Sequence, residues 1–409
     1  MNERAYARRE AMRNNRSERN ISRRRITQRD FINQSHGSIL CSGVDAALLG
    51  DTLIPRLVAG YPNDGRTTIL LTASPHRMQA IHELVSHGMP AIYFDNTNRN
   101  YHAMYRQSAE SIRRQVHDAA SGIMSAGALD DLMRFLSAII ILTGHYYPLS
   151  LPSISALLQM QHAEIIELAR QTHLSDDLID IIQRSSDTCQ DLRDVLYSLE
   201  YAMSGISDPE TESGINLLTA VQRGIPMVVL FQMGFDQTAL NHSLADDLRN
   251  VIYTNHRIRV VIDSVTFGGP EDPLLTLLMS CMHSGLLDLV VISPSAASML
   301  QDDRNIYYFP NVFLSVHGTA ADTERHTAVF GDYMHSQENL TVSRRPFHIY
   351  QNRQYAISNT NRLRIRTEDL LPARRFLSEP VTNIACQLGQ TLYLVDRNFF
   401  FRQQGGIYE

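Results

Sequence analysis

Short, nearly unbroken apolar runs alternate with helix-length segments along most of this chain, and that alternation limits the fold more than any other feature. The runs are GSILCSG (37–43), TTILLTAS (67–74), MPAIYFD (89–95), IPMVVLFQMG (225–234), IRVVIDSV (258–265), LDLVVISPS (287–295) and NVFLSVHG (311–318). A strand that is apolar on both faces is covered on both faces, which is the habit of parallel sheets. Between the first three runs lie ALLGDTLIPRLVAG (47–60) and PHRMQAIHELVSHG (75–88). The first reads as a helix stopped near Pro55; the second has Pro75 at its start and Gly88 at its end. The β-α-β-α-β order predicts an α/β fold with a mostly parallel sheet.

Residues 102–205 break the pattern. Strand signals vanish, and six helical segments follow one another, one of them starting at Ser175–Asp176. The α/β pattern then resumes, with a helix expected over AADTERHTAVFGDYM (320–334) and a short helix plus a hairpin-like pair near the C-terminus. The expected organisation is an arginine-rich N-terminal arm over 1–36, a first α/β part over 37–101, an all-helical insertion over 102–205, and a second α/β part over 206–409.

Composition excludes several functions. With a net charge of −6 over 409 residues, the whole chain is no generic polyanion binder. The best apolar stretch (135–152) is interrupted by His145 and Pro148, so no membrane span is expected, and the basic N-terminus lacks the apolar core of a signal peptide. A cytoplasmic location follows as the expectation. Four cysteines without C-x-x-C spacing and dispersed histidines without H-E-x-x-H give no metal site. Ser293-Pro294-Ser295 lacks the G-x-S-x-G elbow, and no catalytic residue is assigned. The sequence contains no lysine: all 37 basic side chains are arginine. Ten of them fall within residues 1–30, Arg8, Arg9, Arg23, Arg24 and Arg25 among them. That block reads either as an arm for nucleic acid or an acidic partner, or as a solvated helix, because Glu3, Glu10 and Glu18 interleave with the arginines.

Two places carry the chemical question. After the first strand, Asp45 to Thr52 reads D-A-A-L-L-G-D-T, where a phosphate-binding loop reads G-x-x-x-x-G-K-[ST]. Gly43 supplies a first glycine if the loop is two residues longer, and Gly50 is the second. Asp51 stands at the lysine position, where a carboxylate would face a triphosphate, like charge against like. Thr52 keeps the magnesium-binding hydroxyl. Ala46 to Leu49 favours helix over a phosphate nest. A plain strand-to-helix turn, with Asp45 near the helix N-terminus, accounts for the same residues. The second place is RVVIDSV (259–265), a Walker-B-like strand ending in Asp263. The neighbouring acid, which polarises the attacking water in such sites, is replaced by Ser264.

The order of these parts resembles the TraG/TraD-like type IV coupling proteins, members of the FtsK/HerA group of RecA-like P-loop ATPases, over roughly residues 37–400. LIPRL (53–57) stands where that family has iPnLL, and the 102–205 block stands where its all-alpha domain interrupts the nucleotide-binding domain. VVISPSAASML (290–300) stands at the sensor strand, with Ser293 or Pro294 in place of the glutamine. Asp322, Thr323, Glu324 and Gly331 match a following helix loosely, and TEDLLPARRFL (367–377) and NIACQLGQTLYLV (383–395) match the family's last helix and strand pair. The resemblance implies a degenerate member. The P-loop lysine, the Walker B glutamate and the sensor glutamine are absent together, and TASPH (72–76) replaces the acid-Pro-Lys-Gly pattern. The expected function is a catalytically inactive scaffold or substrate adaptor in a secretion, conjugation or related multiprotein system, without a cofactor. Its expected partners are proteins: an active ATPase homologue, or cargo docking on the helical insertion. An oligomer is compatible with this reading. The alternatives are an active ATPase with an atypical site that uses ATP and magnesium, and a DNA-binding accessory protein acting through the arm.

Overall fold

The computed structural model describes residues 19–103 apart from 23, then 108–204, 206, 214–231, 237–343, 352–371 and 382–402, together with Arg9, Met12 and Arg13. In chain order its strands are β1 (Ile21–Ser22), β2 (Ile39–Ser42), β3 (Thr67–Thr72), β4 (Ala91–Phe94), β5 (Met227–Phe231), β6 (Ile258–Asp263), β7 (Leu287–Ser293), β8 (Asn311–Leu314), β9 (Asp332–Ser343), β10 (Asn352–Leu363), β11 (Asn383–Leu388) and β12 (Thr391–Asp396). Every apolar run singled out in the sequence contains one of them. The chain divides into two units, one of residues 1–53 with 290–409, the other of residues 54–289.

In the first unit the strand order is β1-β12-β11-β8-β2-β7. β2 lies parallel to both β7 and β8, while β11 is antiparallel to β8 and to β12. All four residues of β2 and of β8 are buried. An aromatic core of Phe31, Phe313 and Phe400 packs with ring centroids 5.4–6.3 Å apart. Phe31 is brought there by the helix Gln28–Gln34, which opens on a capping box: Thr27 Oγ1 accepts from the Asp30 amide, and the Asp30 carboxylate accepts from the Thr27 amide. The Thr27 bonds hold the Asp30 carboxyl below its usual range. From Arg19 onward the arginine-rich N-terminal segment is anchored. Arg19 pairs with Asp369, β1 runs parallel to β12, and Ile26 is buried. β9 and β10 form a separate two-stranded antiparallel sheet that the sequence reading missed. The helix expected over 320–334 ends at Thr327, and Gly331, at φ +71°, begins the turn into β9.

In the second unit the order is β6-β3-β5-β4, all parallel. Every residue of β3 and β6 is buried, which is why both read as unbroken apolar runs. The helical excursion leaves after β4 and comprises Ala109–Ser121, Ala126–Tyr146, Leu151–Leu158, His162–Gln171, Asp176–Arg184 and Ser186–Met203. Ser108, Ser125 and Ser150 cap three of these helices through their hydroxyls. The two ends of the excursion are tied together. The amides of Tyr101 and His102 donate to the carbonyls of Ile206 and Ile215, and the Ile215 amide donates to Asn100, so the block behaves as an insertion rather than a linker. The helix Gln237–Tyr253 then packs against helices 109–121, 186–203 and 217–222. Two fully buried acids on it bind the helix 109–121, Tyr101 and the start of the helix 217–222. Asp246 accepts from Arg114 (3.0 Å), Arg249 (2.9 Å), Gln115 (3.1 Å) and Ser111, and Asp247 accepts from the Tyr101 hydroxyl and the Leu217 amide, both at 2.8 Å.

Candidate functional site

The P-loop-like segment follows β2 in the first unit. Ser42 is fully buried, and Gly43 turns the chain at φ +106°. A Cβ at Gly43 would lie 2.5 Å from the Ser315 carbonyl oxygen and 2.8 Å from its carbon, so only glycine fits. The amides that a phosphate-binding loop turns toward its ligand are occupied here by the chain itself. Gly43 donates to the Ser293 carbonyl (3.2 Å), Val44 to the Val316 carbonyl (2.9 Å) and Asp45 to Ser315 Oγ (3.0 Å). The helix Ala46–Ala59 starts at once, and the Leu49 amide already donates to the Asp45 carbonyl. Gly50, Asp51 and Thr52 therefore lie within regular helix: Gly50 buried, Asp51 half-buried, Thr52 exposed. The helix runs on through Pro55, where a stop was expected; proline has no amide hydrogen to give the helix at that position.

Asp45 is 5% exposed. Its carboxylate takes three contacts from Arg397: Nε at 3.0 and 2.9 Å, and Nη2 at 2.6 Å. This is a two-pronged, charge-assisted grip. The bond to Asp45 raises the Arg397 pKa above its usual value against the opposing effect of burial. Beneath the loop, Ser42 Oγ accepts from the Ala296 amide (3.0 Å) and meets His317 Nε2 at 2.9 Å. His317 stacks on His326 with centroids 4.0 Å apart. His326 Nε2 accepts from the Ala297 amide and its Nδ1 lies 2.7 Å from the Asp322 carbonyl, which fixes the neutral Nδ1–H tautomer. Burial first, then His326, lowers the His317 pKa to about 4, with Asp322 opposing. Ser293 closes the group: its hydroxyl accepts from the Ser295 amide.

The Walker-B-like segment is in the second unit. Asp263 ends β6 directly across from Thr72 of β3. Its partner is Arg77, whose Nε lies 2.8 Å from Oδ2, with both side chains about 3% exposed. Thr72 Oγ1 and Ser264 Oγ each donate to the carboxylate at 3.3 Å. Arg77 is delivered by the helix Pro75–Ser86, whose start is set by the Ser74 cap and by proline in the first turn. Ser264 is exposed and strained at φ +59°.

Gly43, Asp45 and Ser293 are thus joined by hydrogen bonds in one unit, and Asp263 with Ser264 forms a group in the other. These residues do not fit a nucleotide–magnesium complex. The Gly43, Val44 and Asp45 amides already have acceptors, and Asp45 and Asp263 are each paired with an internal arginine. Sequence reading missed Arg77, Arg397, Ser315 and the histidine pair. Arg77 and Arg397 lie 186 and 352 residues from their partners, so no local spacing marks them. Among the described residues no cluster of ligating side chains suits a metal ion, and no helix is long and apolar enough to cross a membrane. Of the arginines assigned to the arm, Arg9, Arg24 and Arg25 are exposed, with Arg25 over the Phe399 ring at 5.4 Å; Arg8 and Arg23 lie outside the described residues.

An α/β core of mostly parallel strands, interrupted by a helical block, defines a RecA-like fold with an all-helical insertion. Solved structures place that fold more narrowly. The bacterial conjugative coupling protein TrwBdeltaN70, in its unbound monoclinic form, matches with a TM-score of 0.53 over 97% of this chain and 94% of that chain, at 10% identity. TrwB in complex with the non-hydrolysable ATP analogue ADPNP matches at 0.52 over 96% and 94%, also at 10% identity. The chain has the fold of the TraG/TraD-like coupling proteins. No protein-family model and no curated protein sequence matches it.

Proposed function

We propose that this chain is a catalytically inactive, coupling-protein-like subunit that serves a secretion, conjugation or related multiprotein system as scaffold or substrate adaptor. One observation carries the reading. The loop after β2 directs the Gly43, Val44 and Asp45 amides to Ser293, Val316 and Ser315, and locks Asp45 to Arg397. A triphosphate would have to displace all of these bonds without a lysine to draw it in. The Arg77–Asp263 pair supports the same reading, because an aspartate that must hold magnesium is poorly served by a buried arginine. Partners are then proteins, an active homologue or cargo, with the helical block as the docking module.

Isothermal titration of ATP with magnesium tests this, with TrwBdeltaN70 as the positive control. The expected result is no saturable heat and no phosphate release. Micromolar binding with phosphate release would establish an active ATPase with an atypical site and overturn the proposal. An affinity pull-down with the intact chain, compared with charge variants on the helical block, identifies the partner.

A further inference from the structure

The net charge of the chain is unevenly placed. Residues 102–205 hold thirteen acidic residues against seven arginines, and residues 1–29 hold ten arginines against three acidic residues. The acidic excess has a specific outlet in the second unit. On the helix Ser186–Met203, Asp187, Asp191 and Asp194 are exposed, and at 100° per residue they share one face with Tyr197 and Tyr201. The two tyrosines are 69% and 59% exposed, and their rings stack at 6.4 Å with 22° between planes. Among the described residues no arginine pairs with these three acids. Arg193 on the same helix turns inward, to the Leu158 and Met160 carbonyls. At the N-terminal end of the helix, a cavity of about 520 Å³ is lined by Asp131, Asp177 and Asp180 with Arg134, Arg184 and Thr188. Arg184 is engaged with Asp180, which leaves two carboxylates against one guanidinium.

We propose that this acidic and aromatic face receives the arginine-rich N-terminal segment, residues 1–29, of a second copy of the chain. Guanidinium groups suit every part of the face. They pair with carboxylates in forked geometry and stack on tyrosine rings, and arginine does both better than lysine. The donor side is accessible, since Arg24, Arg25 and Arg29 are exposed. Because the acceptor and donor surfaces differ, the contact is head-to-tail, and repetition gives a ring or a filament. The inference is independent of whether nucleotide binds.

Sedimentation velocity of the full chain and binding of a fluorescein-labelled peptide of residues 1–29 test it together. The expected result is self-association at low ionic strength that is lost near 0.5 M salt, where screening shortens to about 4 Å. The peptide should bind and compete with that association. Asp187→Asn/Asp191→Asn/Asp194→Asn should weaken both at least tenfold, as should Arg24→Ala/Arg25→Ala/Arg29→Ala in the chain for self-association. Tyr197→Ala/Tyr201→Ala should weaken both several-fold, with Phe at both positions restoring them. All these positions are exposed, so unchanged thermal melts confirm that the variants fold. No association at low salt, or equal peptide binding by the triple Asp variant, overturns the proposal. Peptide binding by a chain that stays monomeric also overturns it, because the segment is then taken up within its own copy.

Discussion

The Arg77–Asp263 pair offers the sharpest quantitative test of how the second unit is built. Both side chains are about 3% exposed, and the nitrogen–oxygen distance is 2.8 Å. Removing one member leaves an uncompensated buried charge. Arg77→Met should therefore destabilise the unit by roughly 3–5 kcal/mol. Replacing both members with apolar residues removes the charge problem altogether, so Arg77→Met/Asp263→Leu should fall within about 1–2 kcal/mol of the parent, on either side. Thr72 and Ser264 each lose only a 3.3 Å bond to the carboxylate, a small further cost.

Urea unfolding followed by far-UV circular dichroism reads these values. For a unit of this size the denaturant slope is near 3 kcal/mol/M, so the single variant should shift the midpoint by roughly 1–2 M and the double variant by much less. The same titration with millimolar magnesium asks whether Asp263 is a metal ligand. A resident metal would stabilise the native state as its concentration rises through the dissociation constant. An unmoved midpoint for Arg77→Met would refute the buried-pair reasoning. A magnesium-dependent rise in the parent protein would refute the reading that Asp263 serves Arg77 rather than a metal ion.

Three further outcomes follow. The His317 pKa in the fold, about 4, lies below the usual 6.5. Its stabilising contribution is therefore complete above pH 6.5 and disappears as pH falls toward 4, reaching roughly 2–3 kcal/mol. His317→Gln should flatten that part of the pH–stability curve measured by thermal melting. Gly43→Ala forces a Cβ into the Ser315 backbone at positive φ and should cost at least 2–3 kcal/mol, read as a lower melting temperature, while Ser315→Ala should cost about 1 kcal/mol. Asp51→Lys should leave phosphate release at background, because Ser264 still lacks the acid and the loop amides remain engaged; measurable ATP hydrolysis by that single variant would show the site to be misassigned.

The sheet was legible because its strands are buried on both faces and punctuated by glycine and proline. β3 and β6 carry no polar interruption before Thr72 and Asp263, apart from Thr67, Thr68 and Arg259. The insertion was legible because amphipathic period and serine caps repeat through it. The β9–β10 sheet was not legible. Its strands are rich in Asn, Gln and Ser, which score poorly as strand residues, and strand pairing rather than local propensity decides such segments. Pro55 misled in the opposite way: a helix whose core face holds the fully buried Leu53 and Ile54 outweighs one lost backbone bond.

The site shows a different limit. The sequence records the missing groups, lysine, glutamate and glutamine, but not what replaced them. Asp45 and Asp263 read alike, as acids at the ends of apolar strands. Each is neutralised by an arginine from a distant part of the chain, Arg397 from a C-terminal helix and Arg77 from the helix after β3. These pairings bear on what nucleotide binding would require of the loop. Restoring a P-loop lysine adds one charge, but a phosphate nest also needs the Gly43, Val44 and Asp45 amides released and the helix start moved beyond Ala46. Those bonds now hold β2, β7 and β8 together at their ends, so freeing them would loosen the first unit itself. On the proposed inactive reading the loop is part of the fold's structure, and a variant remade to bind nucleotide would have to pass through destabilised intermediates.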